Sequence, residues 1–461
     1  MRTPSGTPFQ IVARLAVIVT LTMGAATAAA VTRDAGAVAE PSPNVIIIVT
    51  DDQRRELLQR DAMPATTRLF AGGGTKFTRA YATTPLCCPS RASIFSGRYA
   101  HNHGVENNQQ AGSFDEDFSV QRYLRDQGYR TALFGKFLLG RPLDDDPEHF
   151  DEWATFLRSP MTYRDGNWNV DGTVQEVPGY STTYIGERAV GFIEEQESVD
   201  IQPWMMMLST AAPHAPFLPD ETYAGATVPR WDPDAAVGER RLGDKPPFER
   251  IGDASRRESA RIRRRQVRTL FSVDDMIRDV FDALGRTGES NTLAFFLSDN
   301  GYMWAEHGLS GKRYPYLPST RIPLLMRWPG RVAAGFRDRH LVATIDIAPT
   351  ILDAAGITPD DAYPIDGHSL LGNRSRDRLL LEFEPEGGLW PWASTITRRY
   401  QYIEHYADSG RALFHEYYDL RRDPAQLRNL YGDRNADNDP ARRDLRRTLA
   451  RDKGCAGSTC P

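Results

Sequence analysis

Apolar and polar positions divide this chain into uninterrupted apolar runs separated by amphipathic or polar stretches. Asn44-Val45-Ile46-Ile47-Ile48-Val49-Thr50 is β-branched without alternation, the pattern of a strand covered on both faces. Pro203 to Ser209 and Thr292 to Ser298 repeat that pattern. Phe77 to Ala82, Tyr129 to Phe134, Ile322 to Arg327 and Leu341 to Ile345 predict further strands. Helices are predicted from about Met63 to Ala71, Val120 to Gln127, Thr183 to Glu197, Ser259 to Leu284 and Pro349 to Gly356. In the long one, Val267, Leu270, Val273, Ile277, Val280 and Leu284 fall on one stripe. Buried strands alternating with helices predict an α/β fold, a large mixed and mostly parallel sheet sandwiched by helices.

From about Arg376 the pattern changes. Leu379 to Phe383, Trp392 to Thr397, Tyr400 to His405 and His415 to Asp419 read as short strands with no helices between them. They predict a small C-terminal antiparallel sheet, followed by an Arg-rich helix near Ala441 to Ala450. Two stretches read as loops. One is Asp144 to Tyr180, where Trp153, Tyr163, Trp168 and Tyr180 read as anchors; the other is Asp220 to Ala254. Arg261, Arg263, Arg264, Arg265 and Arg268 read mainly as a solvated helix face.

Composition changes this picture at the ends of the chain. Arg2 and Arg14, the apolar run Leu15 to Met23 and then Ala25-Ala26-Thr27-Ala28-Ala29-Ala30 describe a cleavable export signal over residues 1–30. A leader over 31–43 follows, then the α/β unit over 44–375, the C-terminal subdomain over 376–450 and a tail over 451–461. The apolar run is short for a membrane span, so a secreted or extracytoplasmic protein with no stable span is expected. A net charge of −5 argues against nucleic acid as a partner, and an anionic ligand must then be held by a local basic site. Of the four cysteines, Cys455 and Cys460 sit five apart in the tail, a spacing open to a small disulfide loop.

The candidate chemistry leaves the strand ends. Asp51-Asp52 follows the first buried strand and Asp299-Asn300-Gly301 follows a later one. Ligands of open α/β sheets bind at such carboxyl ends. As a set these oxygens suit a hard divalent cation such as Ca²⁺. Gly135-Lys136 and Ala212-Pro213-His214-Ala215-Pro216 end two further strands, and Gly311-Lys312-Arg313 lies on a loop. Prolines on both sides of His214 predict an extended loop. His101 and His103, two apart near Gly104, are a weak metal pair. The second strand leads to Cys87-Cys88-Pro89-Ser90-Arg91, where Pro89 suits the first turn of a helix. A reactive group there would face free backbone N–H donors, and Arg91 adds a planar fork matched to an oxyanion. Catalysis by an unmodified Cys87 thiolate is an open alternative.

Cys87-Cys88-Pro89-Ser90-Arg91-Ala92-Ser93 with Ser96-Gly97-Arg98 resembles the signature of type I sulfatases. The order Asp51-Asp52-Gln53, Gly135-Lys136, Pro213-His214 and Asp299-Asn300-Gly301 extends the resemblance along roughly the whole mature chain. Tyr417-Tyr418-Asp419-Leu420, Asp423-Pro424 and Asn429-Leu430 are similar to the family's C-terminal sheet region. In wording the chain is nearest to the N-acetylglucosamine-6-sulfatase branch, through the Cys87 motif, His101-Asn102-His103 and Ser272-Val273-Asp274-Asp275.

The resemblance implies an alkaline-phosphatase-like fold and hydrolysis of sulfate monoesters. It implies that a formylglycine-generating enzyme oxidises Cys87 to formylglycine, and that one Ca²⁺ is held by Asp51, Asp52, Asp299, Asn300 and the modified Cys87. Arg91, Lys136, His214 and Lys312 match residues that bind sulfate or assist the leaving group. The implied substrate is a sulfated small molecule or glycan, such as 6-sulfated N-acetylglucosamine. Many family members carry a His two residues after the Gly-Lys lysine, where this chain has Leu138. His103 is the substitute base by its nearness in sequence to the motif. A broad arylsulfatase, a phosphoester or phosphonate hydrolase of the same superfold and a non-catalytic sulfoglycan-binding protein are the competing functions.

Overall fold

The strand β1 (Asn44–Thr50) is buried throughout. Its side chains alternate between two apolar clusters, Ile46 and Ile48 in one and Val45, Ile47 and Val49 in the other, so both faces are covered. The computed structural model describes residues 42–138, 140–156, 162–248, 252–372, 375–385, 388–438 and 440–461. The export signal at 1–30 and the leader up to residue 41 lie outside the described residues.

After β1 come β2 (Thr75–Tyr81), β3 (Arg130–Gly135), β4 (Glu152–Phe156), β5 (Arg164–Val170), β6 (Thr173–Tyr180), β7 (Trp204–Ser209) and β8 (Thr292–Ser298). The two-residue strands β9 (Met303–Trp304) and β10 (Ser310–Gly311) pair with each other, and β11 (Leu324–Arg327) and β12 (Phe336–Ala343) follow. The large sheet has ten strands in the order β12-β2-β11-β8-β1-β7-β3-β4-β5-β6. Strands β8, β1, β7 and β3 are mutually parallel neighbours. Strand β2 is antiparallel to β11, itself antiparallel to β8, so β2 runs the same way as these four. The carboxyl ends of these five strands therefore open at one sheet edge.

The predicted loop at 144–180 instead contains β4, β5 and β6, which extend the large sheet to its edge. Much of β5 and β6 faces solvent, so apolar residues do not alternate along them. The hairpin turns at Asp171 and Gly172, both with positive φ, 49° and 82°, which is the backbone an Asp-Gly turn supplies. The aromatic residues are anchors: Trp168 packs on Phe156 at 4.8 Å, and Tyr180 donates to the Leu218 carbonyl.

On one face the helices Ser181–Val199 and Arg256–Thr287 cover the sheet. The long helix begins at Ser255, whose hydroxyl accepts the Glu258 N–H, and ends at Gly288 with φ 83°. Its stripe from Val267 to Leu284 is buried as predicted; each such side chain contributes roughly 1.5–3 kcal/mol, which outweighs propensity in holding the helix. The arginine face is only partly solvated. Arg263 is buried and donates to the Pro229 carbonyl, and Arg268 donates to Ala226, so these two pin the irregular stretch before the helix.

A four-stranded antiparallel sheet follows, β13 (Arg378–Phe383), β14 (Trp392–Thr397), β15 (Tyr400–Tyr406) and β16 (Ala412–Asp419), with the helix Arg442–Asp452 after it. Its core includes Tyr81, Leu86, Tyr99 and Tyr316 from earlier segments, so the two sheets share an apolar cluster. Cys455 and Cys460 form the tail disulfide. Among the described residues no helix is long and apolar enough to cross a membrane.

His101 ties the tail to the motif region, and it holds no metal cluster among the described residues. Its Nδ1 lies 2.8 Å from Glu382, and its Nε2 lies 3.0 Å from the Cys455 carbonyl. Burial opposes its charge, but Glu382 outweighs that and raises its pKa to about 9. A raised folded-state pKa adds stability that is complete below the unfolded value near 6.5 and is lost as pH rises through about 9. The melting-temperature advantage of the native chain over His101→Gln should be greatest at pH 6 and shrink towards pH 10. An advantage independent of pH would show that the pair does not act through charge.

Candidate functional site

Each carboxyl end at the shared sheet edge delivers a polar side chain. Asp51 and Asp52 leave β1, Asp299 and Asn300 leave β8, Lys136 leaves β3, and the turn after β7 carries His214. Strand β2 leads to the helix Cys87–Ser96, which is buried at all ten positions and ends at Gly97 with φ 71°. At the end of β3, Gly135 has φ 111°, and a Cβ there would meet the Ser209 carbonyl oxygen at 1.9 Å. Only glycine lets the chain pass β7 this closely and turn Lys136 inward. Asp52 sits in the left-handed region at φ 68°, a conformation uncommon outside glycine and frequent at functional sites.

The side chains interlock. Lys136 Nζ pairs with Asp51 Oδ2, both fully buried. Lys312 Nζ donates to Asp52 Oδ1 at 2.5 Å and to Cys87 Sγ at 2.7 Å, and Cys87 Sγ lies 3.4 Å from Asp51 Oδ1. Arg91 donates through Nε to Asp299 Oδ2 at 2.9 Å, and through Nη1 to the Lys136 carbonyl and Ser209 Oγ. The Asp52 N–H donates to Asp299 Oδ1, and Asn300 Nδ2 donates to Asp52 Oδ1 at 2.7 Å. Two buried polar atoms have no partner here, Arg91 Nη2 and Asn300 Oδ1. A buried polar group without a partner calls for an explanation, and a ligand supplies one.

The electrostatics follow from burial and charge. Burial opposes the Asp51 carboxylate, but Lys136, His214, Lys312 and Arg91 outweigh it and hold its pKa well below the ordinary range. Burial and the Asp51 charge push Asp299 up to about 6. Burial, then Asp51, raises the Cys87 thiol well above its ordinary value despite the two lysines. An unmodified thiolate is therefore disfavoured in this surrounding. Lys136 and Lys312 are held charged by the carboxylates against the cost of burial.

The structure thus brings together Asp51, Asp52, Cys87, Arg91, Lys136, His214, Asp299, Asn300 and Lys312. One ligand atom each from Asp51, Asp52, Cys87 and His214 lies within 4.8 Å of the others. His103 is not among them. Its ring is buried behind the motif helix, with Nδ1 accepting the Val105 N–H and Nε2 3.1 Å from Ser93 Oγ. Ser93 lies roughly 120° round that helix from Cys87. Burial and Arg98 lower the pKa of His103 to about 3, so it stays neutral. Leu138 is buried in the apolar core.

Two other expectations change. The loop at His214 turns rather than extends: His214 N–H donates to the Ala211 carbonyl and Phe217 N–H to the His214 carbonyl. The buried Tyr163 hydroxyl donates to the same His214 carbonyl at 2.6 Å and fixes the turn. His214 Nδ1 is 2.7 Å from the Ala215 carbonyl, leaving Nε2 3.7 Å from Asp52 Oδ2. At the helix N-terminus, Asn108 Oδ1 takes the Cys88 N–H, Pro89 has none and the Ser90 N–H returns to Leu86. The cationic groups that converge at this point are instead the side chains of Arg91, Lys136 and Lys312. Ser209, Tyr163 and Asn108 were not legible as site residues, because each acts through a partner distant in sequence.

A family model described as Sulfatase matches residues 43–357, and one described as N-sulphoglucosamine sulphohydrolase, C-terminal matches residues 305–453. The putative extracellular sulfatase Sulf-1 homolog of Caenorhabditis elegans is 34% identical over 71% of this chain and 48% of its own. This chain therefore spans about half the length of that relative. The N-acetylglucosamine-6-sulfatase of Homo sapiens is 31% identical over 75% of this chain and 68% of its own. Among solved structures, a protein in complex with its substrate D-glucosamine-2-N,6-O-disulfate aligns with a TM-score of 0.78 at 24% identity, covering 89% of this chain and 97% of that one. This structural likeness concerns the fold.

Proposed function

Because the chain belongs to the sulfatase family, we propose that it hydrolyses sulfate monoesters, with a sulfated sugar such as 6-sulfated N-acetylglucosamine as substrate. The observation that carries this reading is the convergence of Asp51, Asp52, Asp299, Arg91, Lys136 and Lys312 around the buried Cys87. In such a dry site fixed charges act more strongly than they would in water. Export from the cytoplasm belongs to the same proposal, supported by the sequence of residues 1–30 and by a relative named extracellular.

The donors fit a hard divalent cation such as Ca²⁺: three carboxylates and the unpartnered Asn300 Oδ1, all buried. Asp51, Asp52, Asp299 and Asn300 would hold it, and its charge would turn a balanced set of three acids and three bases positive towards an anionic ester. Oxidation of Cys87 by a formylglycine-generating enzyme would supply, as the aldehyde hydrate, an oxygen nucleophile in place of the thiol.

The chain's own residues do the rest. Arg91 is locked by Asp299, Lys136 and Ser209, so its remaining Nη2 is oriented to donate to an oxygen of the ester. Lys136 and Lys312 stabilise the charge that grows on the sulfate oxygens. His214, with Nδ1–H given to the Ala215 carbonyl, has Nε2 for passing a proton to the departing alcohol. It is the described histidine in the cluster, so it also takes the place left by Leu138 as proton acceptor.

The test compares kcat/KM for 6-sulfated N-acetylglucosamine, other sulfated sugars, an aryl sulfate, a phosphate monoester and a phosphonate. The sulfated sugar should be preferred. Turnover of the aryl sulfate with no sugar desulfated would overturn the substrate, and faster phosphonate hydrolysis would overturn the sulfate ester.

A further inference from the structure

Lys312 reaches Asp52 and Cys87 from a loop whose shape is set elsewhere. Backbone φ is positive at Ala305, His307, Gly308, Gly311 and Arg313, at 72°, 52°, 74°, 93° and 82°. Three of these are not glycine, so the segment occupies a conformation that its own residues disfavour. It persists where surrounding structure over-determines it: Ala305 and His307 are bonded to residues 236–239, and from Arg313 onward the surrounding structure is the C-terminal sheet.

The contacts are directional. Trp392 on β14 donates its Nε1–H to the Arg313 carbonyl at 2.8 Å, one residue beyond Lys312. Gln401 on β15, fully buried, donates Nε2–H to the Pro315 carbonyl at 2.8 Å. Gln401 Oε1 accepts from Gln426 Nε2 at 2.7 Å, and Gln426 Oε1 accepts the Leu317 N–H at 2.8 Å. The Tyr316 hydroxyl donates to Glu416 on β16 at 2.9 Å. From the other side the Arg313 N–H donates to the Pro85 carbonyl at 3.2 Å, two residues before Cys87. A loop bonded at Arg313, Pro315, Tyr316 and Leu317 has little freedom left at Lys312.

We propose that Trp392 and Gln401 are positioning residues, through which the C-terminal sheet holds the Lys312 ammonium against residue 87 and Asp52. This rests on the sulfatase reading of the site only for the step that Lys312 assists. The held geometry is a property of the chain itself. A lysine on a flexible four-carbon stem spends its charge on the reacting oxygens only when its backbone is fixed.

The closing experiment is a double-mutant cycle on the full chain, with hydrogen exchange as a second readout. Trp392→Phe keeps a ring in place and removes the one N–H. It should lower kcat about 10-fold or more, a size expected for a misplaced catalytic group, with KM within about 2-fold. In a Lys312→Ala background the same change should cost almost nothing, since there is no ammonium left to misplace. Tyr402→Phe, on the same sheet but bonded to Glu404, should leave kcat unchanged. Trp392→Phe should also speed exchange of the amides at residues 311–314 and leave the β14–β15 ladder protected. Equal losses in both backgrounds, or unchanged exchange at 311–314, would overturn the proposal. If the native chain hydrolyses no sulfate ester, the sulfatase reading fails, and the exchange measurement still decides whether Trp392 fixes the loop.

Discussion

Cys87→Ala should abolish turnover, by at least about 10⁴-fold, the scale on which removal of a nucleophile is felt, whereas Cys88→Ala should retain activity within a few-fold. The two thiols are adjacent, both buried and both uncommitted to a disulfide, so bulk environment does not separate them. Geometry does. Cys87 Sγ stands between Lys312 Nζ and Asp51 Oδ1, at 2.7 and 3.4 Å, while Cys88 is turned roughly 100° along the helix. Cys87 also begins Cys-x-Pro-Ser-Arg, and Cys88 fills the variable position. Peptide mass spectrometry of active protein should find the aldehyde or its hydrate at residue 87 and an intact thiol at 88. A fully active preparation with unmodified thiols at both positions would return the chemistry to sulfur, against the burial and the Asp51 charge that keep the Cys87 thiol protonated.

The strand ends of this site were legible because the strands that carry them are buried on both faces. A run such as Val45 to Val49 or Leu293 to Leu297 leaves one reading, and the residues that follow it must lie at a sheet edge. Where a strand faces solvent that reasoning stops. The exposed first half of β12, Phe336 to His340, and the outer strands β5 and β6 carry no apolar rhythm, and they were missed or shortened. Long-range satisfaction of polar groups was equally invisible. Nothing in the sequence says that Asn108 takes the Cys88 N–H, or that Ser93 and Val105 take the ring of His103. Proximity in sequence pointed His103 at the reaction, and helical rotation carried it away.

Asp299 should matter twice, once for metal and once for the fold, and two substitutions separate the effects. Its Oδ2 accepts from Arg91 Nε and its Oδ1 from the Asp52 N–H, with Arg91 and Asp299 both fully buried. Asp299→Ala removes an oxygen donor and strands the Arg91 charge in the core, at a cost of roughly 3–5 kcal/mol. That variant should lose activity and also unfold at a markedly lower temperature. Asp299→Asn keeps an acceptor for one N–H, lacks the charge that a cation requires, and should fold with a smaller loss while remaining inactive. Because a ligand stabilises only the state that binds it, about 2.7 kcal/mol is gained when free ligand reaches a hundredfold excess over Kd. Ca²⁺ titration should therefore raise the melting temperature of the native chain and leave that of Asp299→Asn unmoved. Dialysis against a chelator should remove both the metal and the activity of the native chain, and Ca²⁺ should restore both. Full activity in protein shown by elemental analysis to hold no metal would remove the cation from the mechanism. The oxygens of Asp51, Asp52, Asp299 and Asn300 would then serve only to set the charges of Lys136, Lys312 and Arg91.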